Sequence, residues 1–235
     1  MIDIHCHLLP NIDDGPRSWD ESLELAQMLS EEGVKIAITT PHWIKGSGWE
    51  PEPDKIKDMV DELNERLEKE KIPLKVLPGM EVGITENILE LVNQGRILTL
   101  NSSPYLLIET PFISIPYGIE EVIFRLKESG IVPIFAHPER CREVQSNRER
   151  LKDLSDTGAL IQITTSSLLG YFGNEAMESA ITLTKEGLVH FVATDAHSSK
   201  KRPPIIIEAF SILNNIVGQE RVKALKDNAY QVIHK

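Results

Sequence analysis

Four times along this chain an amphipathic stretch stops at a glycine, an apolar run follows, and the run ends on polar residues. Gly33 precedes residues 34–40 and then Pro41-His42. Gly130 precedes 131–136 and then His137. Gly158 precedes 159–164, and Gly187 precedes 188–194 and then Asp195. Glycine is the usual left-handed stop after a helix. Short, mostly apolar strands fed by helices make a parallel sheet covered on both faces. Further strands are expected at 2–5, at 74–77 running on to Glu81, and at 105–109. Helical spacing is carried by Leu25, Ala26, Met28 and Leu29 behind a capping box of Ser18 and Glu21. It recurs over about 54–70, at Ile119, Val122, Ile123 and Leu126, at Ala176 to Leu183, and at Ala209, Phe210, Leu213 and Ile216.

About seven strands therefore alternate with helices, and no linker interrupts them, so residues 1–235 are expected to form one α/β domain. Such alternation builds either an open doubly wound sheet or a barrel. A doubly wound nucleotide-binding sheet carries a glycine-rich phosphate loop after an early strand. Here the first strand runs instead into His5-Cys6-His7-Leu8-Leu9-Pro10. A barrel, with its functional face at the carboxyl ends of the strands, is the expected architecture.

The polar residues at those ends are metal-competent. Five of the seven histidines (His5, His7, His42, His137 and His197) fall there, with Glu81, Glu109 and Asp195. On a strand, His5 and His7 share a face, and Asp195 and His197 repeat the spacing on the last strand. A closed barrel puts the first and last strands side by side. The Asn11-Ile12-Asp13-Asp14-Gly15 turn can bring a further carboxylate over the mouth. Any one of these residues alone reads as an ordinary surface polar group. Together they do not, because carboxylates converging on one cavity need cations or protons between them. Imidazole with carboxylate and no thiolate suits Mn, Fe or Zn better than Ca or Mg. About nine ligands exceed one ion's coordination, so two or three ions are expected.

Composition narrows the choices. A net charge of −11 argues against nucleic-acid or anionic-membrane binding. No apolar run reaches a membrane span, and the start lacks the basic region of a signal peptide, so a cytoplasmic protein is expected. Cys6 and Cys141 form no metal knuckle, and an extended segment points Cys6 away from its histidine neighbours.

At these residues the chain resembles the PHP (polymerase and histidinol phosphatase) superfamily. More closely it resembles the bacterial PHP-type protein-tyrosine phosphatases associated with capsule and exopolysaccharide synthesis. The resemblance is carried by Met1-Ile2-Asp3-Ile4-His5-Cys6-His7, Ile12-Asp13-Asp14-Gly15-Pro16, Thr40-Pro41-His42, Pro78-Gly79-Met80-Glu81, His137-Pro138-Glu139-Arg140, and Asp195-Ala196-His197 with Arg202-Pro203-Pro204. It implies a distorted (β/α)7 TIM-like barrel, the PHP fold. It implies three metal ions, typically manganese, held by His5, His7, Asp14, His42, Glu81, Glu109, His137, Asp195 and His197, with Asp14 taken over Asp13 on the motif. It also implies phosphate contacts from Arg140 and Arg202. The implied substrate is a phosphotyrosine protein, a membrane-associated bacterial tyrosine kinase that controls polysaccharide export.

The expected chemistry is hydrolysis by metal-activated hydroxide, with the two arginines clamping the remaining phosphate oxygens. Asp195 and His197 are the candidates for assisting the leaving group. A cysteine-dependent tyrosine phosphatase is excluded, because position 12 is Ile and position 147 is Asn where an arginine would be needed six residues after the cysteine. The loops from Trp43 to Trp49 and from Pro111 to Tyr117 carry rings, read first as rim packing and second as a substrate wall. The alternatives are another PHP phosphomonoesterase such as a histidinol phosphatase, a metal hydrolase of C–N bonds, and a non-catalytic binding module. No lysine ends a strand, against the second; the ligand set is complete, against the third.

Overall fold

The computed structural model describes residues 1–234. Its strand segments are β1 (Ile2–Cys6), β2 (Ile36–Thr39), β3 (His42–Trp43), β4 (Lys75–Pro78), β5 (Glu81–Gly83), β6 (Tyr105–Glu109), β7 (Val132–Ala136), β8 (Leu160–Thr164) and β9 (Phe191–Ala193). They pair in parallel as β1-β2-β4 and as β3-β5-β6-β7-β8-β9. The two sheets are one. β2 runs into β3 across Thr40-Pro41, and β4 runs into β5 across Gly79-Met80. Proline offers no N–H to a ladder, so Pro41 interrupts the first of these staves. At Gly79 a Cβ would lie 2.9 Å from Ile38 Cγ2 and 3.0 Å from Leu100 Cδ2, so only glycine passes at that break.

The ring closes between β1 and the residues after β9. Cys6 bridges Ala196, His7 N donates to Ala196 O at 2.8 Å, and Asp195 N donates to His5 O at 2.8 Å. The Asp3 carboxylate clasps Thr194, accepting from its backbone N at 3.1 Å and its hydroxyl at 2.5 Å. The result is a closed parallel barrel of seven staves, two of them broken. That is the distorted β/α barrel expected from the sequence.

Alternate residues fill the lumen: Ile4, Ile38, Tyr105, Leu107, Ile134, Phe191 and Ala193 form one buried cluster. Leu106 and Ile108 face the other way, into the layer beneath the helices. β1 breaks this alternation. Three of its residue steps, from Asp3 to Cys6, match two on β2, from Ala37 to Thr39. This bulge lets Ile4 sit in the lumen cluster while His5, next along, also turns toward the barrel mouth.

The helices are α1 (Trp19–Glu31), α2 (Pro53–Lys69), α3 (Ile88–Asn93), α4 (Ile119–Glu128), α5 (Arg142–Ser146), α6 (Glu149–Asp156), α7 (Thr165–Leu168), α8 (Asn174–Lys185) and α9 (Ile207–Ile233). Ser18 caps α1, its hydroxyl accepting from Glu21 N at 3.2 Å. The Glu21 carboxylate takes the N–H of Arg17 rather than that of Ser18, one residue short of a reciprocal capping box. α9 is broken at Gly218 (φ 79°, ψ 168°). The four glycines that precede strands all have positive φ, as expected.

Candidate metal centre

The nine residues expected as ligands meet at the carboxyl end of the barrel. His5 and His7 rise from β1, with Nε2 atoms 3.4 Å apart. His42 opens β3 and Glu81 opens β5, so both broken staves present a metal-competent side chain immediately after the break. Glu109 ends β6, His137 follows β7, and Asp195 and His197 follow β9. Asp14 comes over the mouth from the loop after β1. Glu81 is the hub: Oε2 lies 3.2 Å from His5 Nε2, 3.3 Å from His7 Nε2 and 3.1 Å from His42 Nδ1, and Oε1 lies 2.8 Å from His137 Nε2. Asp195 Oδ1 lies 3.2 Å from His5 Nε2. Asp14 Oδ1 lies 3.4 Å from His42 Nε2 and 3.2 Å from His197 Nε2. The donors fall into three groups: His7, Asp14, His42 and His197; His5, Glu81, His137 and Asp195; His42, Glu81 and Glu109. Only the Asp14 side chain, 42% exposed, is open to solvent at the rim; Glu109 is far more covered.

A ring of hydrogen bonds aims the imidazoles. His5 Nδ1 meets Gln162 Oε1 at 2.8 Å, His7 Nδ1 meets Asp13 Oδ2 at 2.7 Å, and His197 Nδ1 meets Asp195 O at 2.9 Å. Each partner is an acceptor, so Nδ1 carries the proton and the Nε2 lone pair faces the cluster. The two neighbouring aspartates thus divide their work. Asp13 is buried and also accepts from Gly15 N (2.9 Å) and His42 N (3.0 Å). Asp14 points to the mouth. A Cβ on Gly15 would lie 3.1 Å from His7 Cβ, so glycine lets this turn fold closely against His7. The roles of Asp13 and Gln162 were not visible in the sequence. His137 (φ 34°) and Asp195 (φ 52°) hold left-handed backbone, rare outside glycine and typical of over-determined functional positions.

The charge balance shows what the cluster fits. Burial works against a charged His5, but Glu81 and Asp195 outweigh it and push its pKa up to about 10. Burial, and then Glu81, push Glu109 up to about 7. Burial, with Arg140 adding to it, takes His137 down to about 4. Burial, with His7 adding to it, does the same to His197. His42 Nδ1, Glu81 Oε2, Asp195 Oδ1 and His197 Nε2 are buried without a hydrogen-bond partner. Buried acceptors left bare are costly. Imidazole and carboxylate donors converging without thiolate match divalent metal ions, so the residues present fit the expected cofactor.

Arg140 Nη1 donates to Asp195 Oδ2 at 3.0 Å, and Arg202 Nη2 donates to the same oxygen. Arg140 reaches it because His137 starts a tight turn through Pro138–Arg140. Arg202 reaches it because a turn pairs Ser198 with Arg202. The Arg140 guanidinium is sandwiched, 4.5 Å from the Phe112 ring centre and 4.1 Å from that of Phe172. Phe112 also stacks on His137, and Trp49 stacks on His42 at 5.3 Å. Rim packing, the first reading of the ring-bearing loops, holds for buried Trp43. It holds also for Trp49 against His42 and for Phe112 against His137 and Arg140, although Phe112 is 44% exposed, but not for Tyr117, which is 97% exposed. Phe172 escaped sequence reasoning because it lies outside any motif. Glu139, inside one, turns away from the centre: it is buried and accepts from Thr164 N, Thr164 Oγ1 and Ser167 Oγ, tying the His137–Arg140 turn to the end of β8. Cys6 points away from the cluster, its thiol directed at Ile38 O (3.4 Å), and Cys141 is likewise buried.

The chain matches the family described as "Capsular polysaccharide synthesis, CpsB/CapC" over residues 1–234. It is 40% identical over 229 residues to tyrosine-protein phosphatase YwqE of Bacillus subtilis, covering 97% of this chain and 90% of that protein. A solved structure from work on YwqE of Bacillus subtilis and CpsB of Streptococcus pneumoniae, "unique metal-dependent tyrosine phosphatases", superposes with a TM-score of 0.97 at 39% identity, covering 100% of this chain and 94% of that one. At 15% identity and a TM-score of 0.57, the phosphotriesterase homology protein of Escherichia coli shares the fold; the match covers 98% of this chain and 97% of that one.

Proposed function

This chain belongs to the CpsB/CapC capsular polysaccharide synthesis family, and from that membership we infer its activity: it is a metal-dependent protein-tyrosine phosphatase. One observation of its own carries the reading. Five imidazoles and four carboxylates converge at one barrel mouth with two arginines at its edge. We assign three divalent ions to the three donor groups, Mn2+ foremost with Fe or Zn as alternatives. The ligands are His5, His7, Asp14, His42, Glu81, Glu109, His137, Asp195 and His197.

When bound, such ions acidify water and neutralise phosphoryl oxygens. The chain's own residues do the rest. Gln162 and Asp13 hold the imidazoles of His5 and His7 in register. Arg140 and Arg202 reach the same side of the centre and are placed to take phosphate oxygens bidentately, trading their contact with Asp195 for the substrate. Asp195 and His197 serve as ligands rather than as proton donors. The Asp195 carboxyl is held well below its ordinary range: burial opposes this, but His5 and Arg202 prevail. His197 commits its Nδ1 proton to a backbone carbonyl. A tyrosyl leaving group, with a phenol pKa of about 10, departs with little help.

The partner we propose is a tyrosine-phosphorylated segment of a membrane-associated bacterial tyrosine kinase that regulates capsule or exopolysaccharide export, met in the cytoplasm. Support comes from the family's link to capsular polysaccharide. No described helix is long and apolar enough to cross a membrane. The test combines metal analysis with a substrate panel. Phosphotyrosyl peptide should turn over far faster than histidinol phosphate. Chelator should abolish the activity, and thiol alkylation should spare it, since both cysteines are buried. Faster turnover of histidinol phosphate would favour the alternative PHP phosphomonoesterase. At most one ion per chain with no phosphate release would remove the reading.

A further inference from the structure

The buried centre receives only the phosphate and ring of a phosphotyrosine; the polypeptide that bears them must lie across the rim. One hollow opens at that rim and a second continues it. One, of about 460 Å³, starts at the ligand Glu109 and Phe112 and runs past Gly83. The other, of about 780 Å³, continues between the 84–87 segment and the outer face of α4, past Pro116, Tyr117, Val122 and Arg125. Lys45, Ile84 and Thr85 line both, so the two form one trough leading from the metal centre outward. The other large hollows lie elsewhere: against Met1 and α9, between α2 and β4, and between α1 and α2.

Ile84, Pro116 and Val122 give the trough an apolar floor. Its two cations are left over from the chain's ion pairs. Lys45 bonds only the neutral amide of Asn87, at 3.2 Å, and among the described residues Arg125 has no acidic partner, not even Glu121 one turn before it. Several other surface arginines are matched, as Arg66 with Glu62 and Arg148 with Glu186. Glu86 and Glu121 also line this hollow, so its charge is mixed, but an apolar floor, two cations outside any ion pair and direct continuity with the reacting centre suit an extended peptide.

We propose that this trough binds the polypeptide flanking the phosphotyrosine on one side, with an apolar side chain on the floor and an acidic one near Lys45 and Arg125. The proposal rests on the phosphatase reading of the metal centre. Val122→Trp would obstruct the trough, and Arg125→Glu would reverse its charge; neither residue touches a ligand. Kinetics of each variant are compared on a long phosphotyrosyl peptide and on 4-nitrophenyl phosphate. The peptide's KM should rise about tenfold, while kcat and turnover of 4-nitrophenyl phosphate stay unchanged. Trimming the peptide on the trough side should erase the difference from wild type. An unchanged peptide KM, or equal losses on both substrates, would overturn the proposal. Arg125→Glu lies on the surface and serves if Val122→Trp does not fold. Anisotropy of a labelled phosphotyrosyl peptide reads the same contact without turnover. Wild-type binding without hydrolysis would therefore count against the phosphatase reading while leaving the trough supported. Altered sedimentation with unaltered peptide affinity would assign the trough to a second copy of this chain instead.

Discussion

Replacing Asp13 by asparagine tests how the centre is aimed, because it changes the bonding of one oxygen and almost nothing else. The carboxylate accepts three times: from His7 Nδ1 at 2.7 Å, from His42 N at 3.0 Å and from Gly15 N at 2.9 Å. Burial would raise its pKa, yet His7 and the Gly15 N–H outweigh that and hold it below the usual carboxylate range. Asparagine keeps the shape but must turn an NH2 toward one side. Facing His7, the NH2 forces the other tautomer, and Nε2 then presents a proton to the cluster where a lone pair is needed. Facing Gly15, it sets two donors head to head and strands one, at ~1–3 kcal/mol. Losing such a partner of a metal-bound histidine typically costs about 10–100-fold in affinity or activity, or ~1.4–2.7 kcal/mol. Manganese titration by calorimetry, beside phosphatase assays at limiting and saturating metal, reads this directly. Asp13→Asn should bind Mn2+ more weakly by one to two decades and recover part of its activity in excess metal. Affinity and activity within about twofold of wild type would refute the claim that Asp13 sets the His7 tautomer.

Two further outcomes are expected. Phe172→Ala removes one face of the Arg140 sandwich; cation–π contacts are worth ~0.5–2 kcal/mol. kcat/KM for phosphotyrosyl peptide should therefore fall about two- to thirtyfold, Phe172→Trp should restore it, and no loss in the alanine variant would show that the ring does not position Arg140. His190 lies far from the centre, and its Nδ1 accepts from Ile161 N at 3.2 Å. Burial, with Arg221 adding to it, lowers its pKa below 6.5, so on acidification the unfolded chain takes up the proton first. Stability is then fully present above pH 6.5 and declines below it. Urea unfolding of His190→Asn should show a flatter decline between pH 7 and 5 than wild type, and parallel curves would exclude the contribution.

Much of the centre was legible because its metal-competent residues are polar and stand where apolar strands run out. A barrel brings such ends together whatever the loop lengths, so His5, Glu81, His137 and Asp195 could be named as neighbours from position alone. What supports them was hidden. Gln162 braces His5 from 157 residues away and sits mid-strand, where a polar residue signals nothing by itself. The bulge that turns His5 beside Ile4 is a mismatch between two strands, written in neither one. α3, α5, α6 and α7 passed unnoticed because, at four to eight residues each, they are too short to repeat an apolar helical spacing. The choice between Asp13 and Asp14 needed the motif, since adjacent carboxylates in one turn look alike until a histidine meets one of them.

The clasp of Asp3 on Thr194, and the pairing of Cys6 with Ala196, have a consequence for how this protein is made. Translation delivers His5 and His7 before every other proposed ligand, and the stave that faces them, β9 with Asp195 and His197, only after all the rest. A nascent chain or a premature-stop product that lacks this stave therefore carries at most seven of the nine proposed ligands and no enclosed centre. Catalytic competence arrives in a single late event, so each active molecule certifies that its own translation ran past His197.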